Sequence, residues 1–297
     1  MLKELKPRRS ERADGSWVSA IADPPEEGLL STRHLSWVLC VTRHCRHCRG
    51  DHGFGTPCHI RRTVAPVPTC LLIRHGRTSS NAKGTLAGWT EGVGLDDVGR
   101  SQAAALAERL AGLPIRALVS SPLQRCLETA QIVLSGLKDV SVRTDERLGE
   151  CRYGAWTGGS LKELAKEPLW RTVQDQPSAA RFPDGEGFIG ESIAQMQARG
   201  LQAVRDIDAA VNDEHGPGAI WALVSHGDII KSILADAAGA HLDHFQRIIV
   251  GPASLSVVSY TQRRPYLVRL NDDGTDLSAL VPPPGDAPVG GGAGTAD

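Results

Sequence analysis

Residues 70–76 read CLLIRHG and residues 219–228 read AIWALVSHGD. Each is an apolar run that ends in a histidine followed by glycine: Ile73-Arg74-His75-Gly76 in the first, Val224-Ser225-His226-Gly227 in the second. Short apolar runs that stop at turn-forming residues predict strands buried on both faces. In open α/β sheets, ligands sit beyond the carboxyl ends of the strands, at the point where the strand order reverses. Two histidines delivered there on adjacent strands can meet over one ligand. A glycine after each lets backbone or ligand come close.

The segments between and around these runs alternate in period. Gly99 to Ala111 puts Ala103, Leu106, Ala107 and Leu110 on one helical face. Ala117–Val119 and Val140–Arg143 predict strands. Ser120-Ser121-Pro122 predicts a capped helix start with proline at the first helical position, running to Leu134. Ser192 with Gln195 forms a capping box ahead of a helix whose stripe is Ile193, Met196, Leu201, Val204, Ile207 and Val211. A further helix is expected from Ile229, and Ser254–Tyr260 with Tyr266–Leu270 close the pattern as a strand pair. Strands alternating with helices predict an α/β fold with a mostly parallel sheet covered on both faces.

The chemistry gathers at the expected strand ends. Arg125 falls in the first turn of the helix after Pro122, where free N–H groups and the dipole attract anions and a guanidinium fork adds a clamp. Arg74 can supply a second fork, and Asn81 can donate amide hydrogens to the same oxygens. Such a set suits phosphoryl transfer, whose transition state spreads negative charge over the equatorial oxygens. His75 is the expected nucleophile, kept neutral by nearby cations. Glu150 is the expected acid, protonated near neutral pH if held in a partly dry pocket or near other acids. Singly, each residue has an ordinary structural reading. Their joint placement at strand ends and a helix start carries the argument.

The segments LIRHGRTSSN (72–81), SSPLQRCLETA (120–130), LGECRYGAWTG (148–158) and VSHGD (224–228) resemble the histidine phosphatase superfamily, also called phosphoglycerate mutase-like. LKELAKEPLW (161–170), FQRI (245–248) and PASLSVVSY (252–260) further resemble an actinobacterial subgroup of phosphomutases and histidine phosphatases. The resemblance implies a three-layer α/β/α sandwich and a phosphohistidine intermediate formed without metal or other cofactor. It implies that His75 accepts the phosphoryl group, that Arg74, Arg125 and His226 bind it, that Asn81 assists and that Glu150 donates the proton. Gly76 and Gly227 would shape the pocket. Trp89 and Tyr153 fall where the family often lines the substrate site, and Trp156 reads as core.

Two departures bear on the reaction. Phosphoglycerate mutases carry a lysine and paired arginines after the acid motif, whereas this chain offers Lys162, Lys166 and a single Arg171, and a shorter stretch from Glu150 to His226. That favours hydrolysis of a small phosphorylated substrate over mutase action. A phosphomutase, and a phospho-ligand binder without turnover, are the alternatives. Asp228 stands where mutases commonly have asparagine, and is expected to cap the following helix. Specificity is expected from Lys83–Gly94 and Ser160–Gly190, with sugar phosphates, phosphoglycerate derivatives and nucleotide-derived phosphates as candidates.

The remaining composition is that of an ordinary globular protein: 41% hydrophobic, 23% charged, net charge −1 over 297 residues. Nothing in that balance points to nucleic acid or a membrane as partner. The charged N-terminus, without an apolar stretch behind it, suggests a cytoplasmic protein. Three regions are expected: an N-terminal extension, 1–66, disordered or outside the native chain if translation starts near Val64 or Val67; a catalytic domain, 67–282; and a disordered Pro/Gly-rich tail, 283–297. Cys45, Cys48, Cys58 and His59 in the extension have the residue types of a small zinc module, the competing reading of that segment. Oligomeric state is left open.

Overall fold

A computed structural model describes residues 68–261 and 263–274, together with the backbone of two short strands nearer the N-terminus. Those two strands, Ser10–Glu11 (β1) and Trp17–Val18 (β2), pair antiparallel within the unit Met1–Ile60. The zinc-ligand candidates Cys45, Cys48, Cys58 and His59, and the tail 283–297, lie outside the described residues. Among the described residues, no helix is long and apolar enough to cross a membrane.

The second unit is built on a six-stranded sheet. Its strands are Thr69–Arg74 (β3), Ile115–Ser120 (β4), Val142–Thr144 (β5), Ile220–Ser225 (β6), Leu255–Tyr260 (β7) and Pro265–Asp272 (β8), ordered β5-β4-β6-β3-β7-β8. The first four in that order run parallel, and β7 and β8 are added antiparallel. The sheet is therefore mixed, with its parallel part where the two histidine-bearing runs were expected.

Side-chain alternation along β3 explains the layers. Cys70 and Leu72 join one core with Trp221 and Leu223 of β6, and Leu71 and Ile73 join the other with Ala222 and Val224. The second core is covered by Asp97–Leu110 (α2) and Gln124–Leu134 (α3), through Leu106, Leu110, Cys126, Ala130 and Val133. The first is covered by Pro168–Asp175 (α5), Ile193–His215 (α6) and Gly227–Ala237 (α7), through Val173, Met196, Val204, Ile229 and Ile233. Two short helices, Ser79–Ala82 (α1) and Leu161–Leu164 (α4), lie in the connections. This is a three-layer α/β/α sandwich. Trp156 is core, stacked on Trp170 with ring centroids 6.1 Å apart.

Local chemistry sets the helix ends, with two corrections to the sequence reading. The Ser192–Gln195 capping box is present at the start of α6. The expected cap at Ser120-Ser121-Pro122 is not: α3 begins at Gln124, with Leu123 in the cap position and no side-chain cap bond. Ser121 Oγ accepts from the Leu123 N–H at 3.3 Å, just ahead of the helix, and lies 2.8 Å from His226 Nε2, giving that buried nitrogen a polar partner. Nor does Asp228 cap α7. His226 is the cap residue, and the buried Asp228 carboxylate accepts a hydrogen bond from Tyr153 Oη at 2.8 Å.

Candidate functional site

The sheet register brings the two histidines together. Arg74 is opposite Ser225 in the parallel β3–β6 pair, so His75 and His226 leave adjacent strands at the same level. The His75 N–H donates to Ser225 O at 2.9 Å, continuing the ladder one residue past the strand. Ser121, leaving β4 on the far side of β6, bonds through its N–H to Val224 O at 2.9 Å. Beyond His75 the chain crosses the start of α2. A Cβ on Gly76 would come within 2.4 Å of Gly99 O, and one on Gly99 within 2.0 Å of Arg77 O, so both positions need glycine for close approach of backbone. Gly76 N–H is held by Thr129 Oγ1 at 3.1 Å.

The His75 ring has a defined tautomer. Nδ1 lies 2.7 Å from Gly76 O, which can only accept, so Nδ1 carries the hydrogen and Nε2 presents its lone pair. Burial, then the charges of Arg125 and Arg74, holds its pKa well below the ordinary histidine value. The ring is therefore neutral at neutral pH. His226 is depressed for the same reasons, burial first and then Arg125 and His75.

Two guanidinium groups whose charges act on His75 have donors unspent. Arg74 Nη1 donates to Val250 O at 2.7 Å and Arg125 Nη2 to Gly88 O at 2.9 Å, which fixes both side chains. Arg74 Nε and Nη2 and Arg125 Nη1 are buried without a hydrogen-bond partner. Each such donor costs about 1–3 kcal/mol unless something accepts from it. Burial pulls Arg74 down to about 10, which still leaves it charged at neutral pH.

Glu150 faces the same space. Its Oε1 accepts from Cys151 N at 2.8 Å, and its Oε2 lies 4.0 Å from His226 Nδ1. Burial, reinforced by the Asp228 charge and opposed by Arg125, pushes its pKa up to about 8. The carboxyl is thus mostly protonated at neutral pH, and its approach to neutral His226 is not an ion pair. The Glu150 backbone is pinned by Trp89 Nε1 at 2.6 Å and by Arg199 Nη2 at 2.9 Å, both donating to Glu150 O. Arg199 also donates to Gly149 O at 2.7 Å and pairs with Glu191 at 2.5 Å.

A cavity of about 20 Å³ lies over these groups, walled by His75, Thr78, Asn81, Gly88, Arg125, Glu150 and Tyr153 among others. That is somewhat more than the roughly 10–15 Å³ one water needs, so it suits a group of a few atoms. Arg74, Gly76, His226 and Gly227 are not among its lining residues. Asn81 Oδ1 accepts from Thr78 N at 3.0 Å and Thr78 Oγ1 at 2.9 Å, which leaves its amide hydrogens for a ligand. Trp89 lines a second cavity, next door, with Arg152 4.1 Å above its ring. Lys162, Lys166 and Arg171 line neither cavity, and Lys166 and Arg171 pair with Glu163 and Asp175.

Sequence reasoning did not single out Ser121 as the His226 partner, Thr129 under Gly76, or Arg199 behind Glu150. Each acts across more than 45 positions of chain, which no local pattern encodes.

The family model described as the histidine phosphatase superfamily (branch 1) matches residues 70–273. A glucosyl-3-phosphoglycerate phosphatase of Mycolicibacterium vanbaalenii is 31% identical over 60% of this chain and 78% of its own length. A 2,3-bisphosphoglycerate-dependent phosphoglycerate mutase of Gloeobacter violaceus is 27% identical over 71% of this chain and 90% of its own. Among solved structures, Bacillus stearothermophilus YhfR superposes with a TM-score of 0.62 at 27% identity, covering 69% of this chain and 98% of that one.

Proposed function

We propose that this chain, which belongs to the histidine phosphatase superfamily, hydrolyses a small phosphate monoester through a phosphohistidine on His75. The observation that carries the reading is the group of three unpartnered guanidinium nitrogens, on Arg74 and Arg125, buried beside a neutral histidine with a free Nε2 lone pair. A phosphoryl group supplies the acceptors those donors lack.

In the first step His75 Nε2 attacks phosphorus and the bond to the ester oxygen breaks. Arg74 and Arg125 hold the non-bridging oxygens, where charge is greatest in the transition state. Glu150 gives its proton to the departing oxygen, which leaves as the alcohol. In the second step water attacks the phosphohistidine. Glu150, now a carboxylate, takes the proton from that water, and the nitrogen–phosphorus bond breaks to free phosphate. His226 stands edge-on to the His75 ring, beside the site of transfer, as the phosphate-binding residue the family resemblance implies.

Hydrolysis is favoured over mutase action by the cavity walls. A mutase must hold a second anionic group while the phosphoryl group returns, and Lys162, Lys166 and Arg171 all lie away from both cavities. The catalytic unit is residues 67–282. The test is phosphate release from a panel of esters, with EDTA present, by wild type and His75→Ala. Release that requires His75 is the expected result, and full activity in the variant would overturn the mechanism.

A further inference from the structure

The cavity over His75 is too small to hold more than the phosphoryl end of an ester, so the alcohol part must lie elsewhere. The adjoining cavity measures about 550 Å³ and is lined by Trp89, Thr90, Glu91, Arg152, Thr157, Gly187, Phe188 and Ile189. The two cavities share a wall. Gly88 and Trp89 are consecutive, as are Arg152 and Tyr153, and each pair sends one residue to each cavity. At Gly88 the wall has no side chain: a Cβ there would lie 3.1 Å from Thr157 Oγ1 and 3.2 Å from Tyr153 Cδ2.

The far side of this cavity is presented on a tight turn. Gly185 and Phe188 exchange both backbone hydrogen bonds, at 2.8 and 3.2 Å, around Glu186 and Gly187, with Gly187 at φ +73°. The base of the turn is held by Gly190 N–H on Asp184 Oδ1 at 2.7 Å. The turn delivers Phe188 and Ile189 side by side, and Ile189 is 70% exposed. An aromatic and a branched aliphatic side chain held in a concave wall, facing a tryptophan, form an apolar surface that a ligand can cover.

Charge argues for the kind of ligand. Among the described residues, Arg152 is the only cation lining this cavity, and it is engaged twice, by Glu146 at 2.6 Å and by the Trp89 ring. A carboxylate or second phosphate would have to compete with Glu146 and would meet Glu91 in the same wall. Resting on the phosphatase reading above, we infer that this cavity receives the alcohol moiety of the substrate and selects esters of bulky, ring-bearing, mainly apolar alcohols over small polar or anionic ones. Trp89 and Phe188 supply the ring contacts, and Ile189 closes the outer edge.

The test compares naphthyl phosphate with glycerol phosphate in two measurements. By calorimetry, His75→Ala protein is expected to bind naphthyl phosphate at least about tenfold tighter, the scale on which apolar pockets discriminate. In turnover, the ratio of kcat/KM for the two esters is expected to fall about tenfold in Ile189→Asp and to return in Ile189→Leu. Equal binding of the two esters, or a ratio unmoved by Ile189→Asp, would overturn the inference. Discriminating binding without phosphate release by wild type would instead overturn the phosphatase reading and leave the apolar subsite standing.

Discussion

The rings of His75 and His226 meet edge to face, 5.3 Å between centroids and 63° between planes. The contact joins residues that lie 151 positions apart, and it depends on one parallel strand pairing. Both rings are kept neutral, by burial and by the two arginines beside them. His75, the proposed nucleophile, therefore does not titrate in the usual histidine range, and activity is expected to persist below pH 6.5.

The alkaline side has a different origin. As the proposed acid, Glu150 must hold its proton to give it to the departing oxygen, and its pKa is raised to about 8. For an alkyl phosphate, kcat/KM is expected to fall as pH rises through about 8. An aryl ester with a good leaving group should show a weaker fall, since it needs less help from an acid. A rate that stays level to pH 10 for the alkyl ester would show that Glu150 is not the proton donor.

Asp228→Asn should move that limb. The negative charge of Asp228 disfavours a second charge on Glu150 and so raises its pKa. Removing it lowers the Glu150 pKa, and the alkaline limb shifts to lower pH. The amide oxygen of asparagine can still accept from Tyr153 Oη, while the buried Lys231 ammonium loses the charge 3.8 Å from it, so the profile is read on protein whose Tm shows it folded. A pH profile identical to wild type would refute this electrostatic link.

Glu150→Gln should separate stability from activity. A carboxyl whose folded pKa exceeds its unfolded value contributes stability that is fully present below the unfolded pKa and is lost as pH rises through the folded one, here from about 4.5 to about 8. Glutamine cannot ionise and escapes that loss. The variant is expected to turn over alkyl esters at least about a hundredfold more slowly, the scale of general acid catalysis. Its Tm, measured from pH 5 to 9, should fall less steeply than that of wild type. A steeper fall would contradict the raised pKa.

Arg125→Lys should be a poor replacement. Lysine keeps the charge but lacks the planar fork that anchors on Gly88 O while aiming a second nitrogen at the ligand. A loss of about 10²–10³ in kcat/KM is expected, the scale for removing one oriented donor. Near-wild-type kinetics would mean that charge alone suffices.

Much of this site is legible in the sequence because the strands that carry it are buried on both faces and so read as unbroken apolar runs ending in His-Gly. Glu150 follows a similar logic: a short motif names it, and the fold only has to bury it. What escapes is whatever depends on a partner distant in sequence. Ser121 looks like a helix cap because serine before proline commonly is one, yet its hydroxyl goes to His226. Asp228 sits at a helix start and looks like a cap for the same reason, yet its carboxylate faces Tyr153. Arg199 is one polar residue among many on a long helix, and only its three carbonyl contacts reveal that it holds the Glu150 loop.

The insertion of β6 between β3 and β4 has a kinetic consequence. β6 enters the sheet about 100 positions after β4 has been synthesised, and until it pairs on both sides His226 has no place beside His75. Loop closure over such a separation is among the slower events in folding. Regain of catalytic rate during refolding thus requires the seating of one central strand, and a chain that has collapsed with every helix formed but that strand misplaced would be compact, helical and inert.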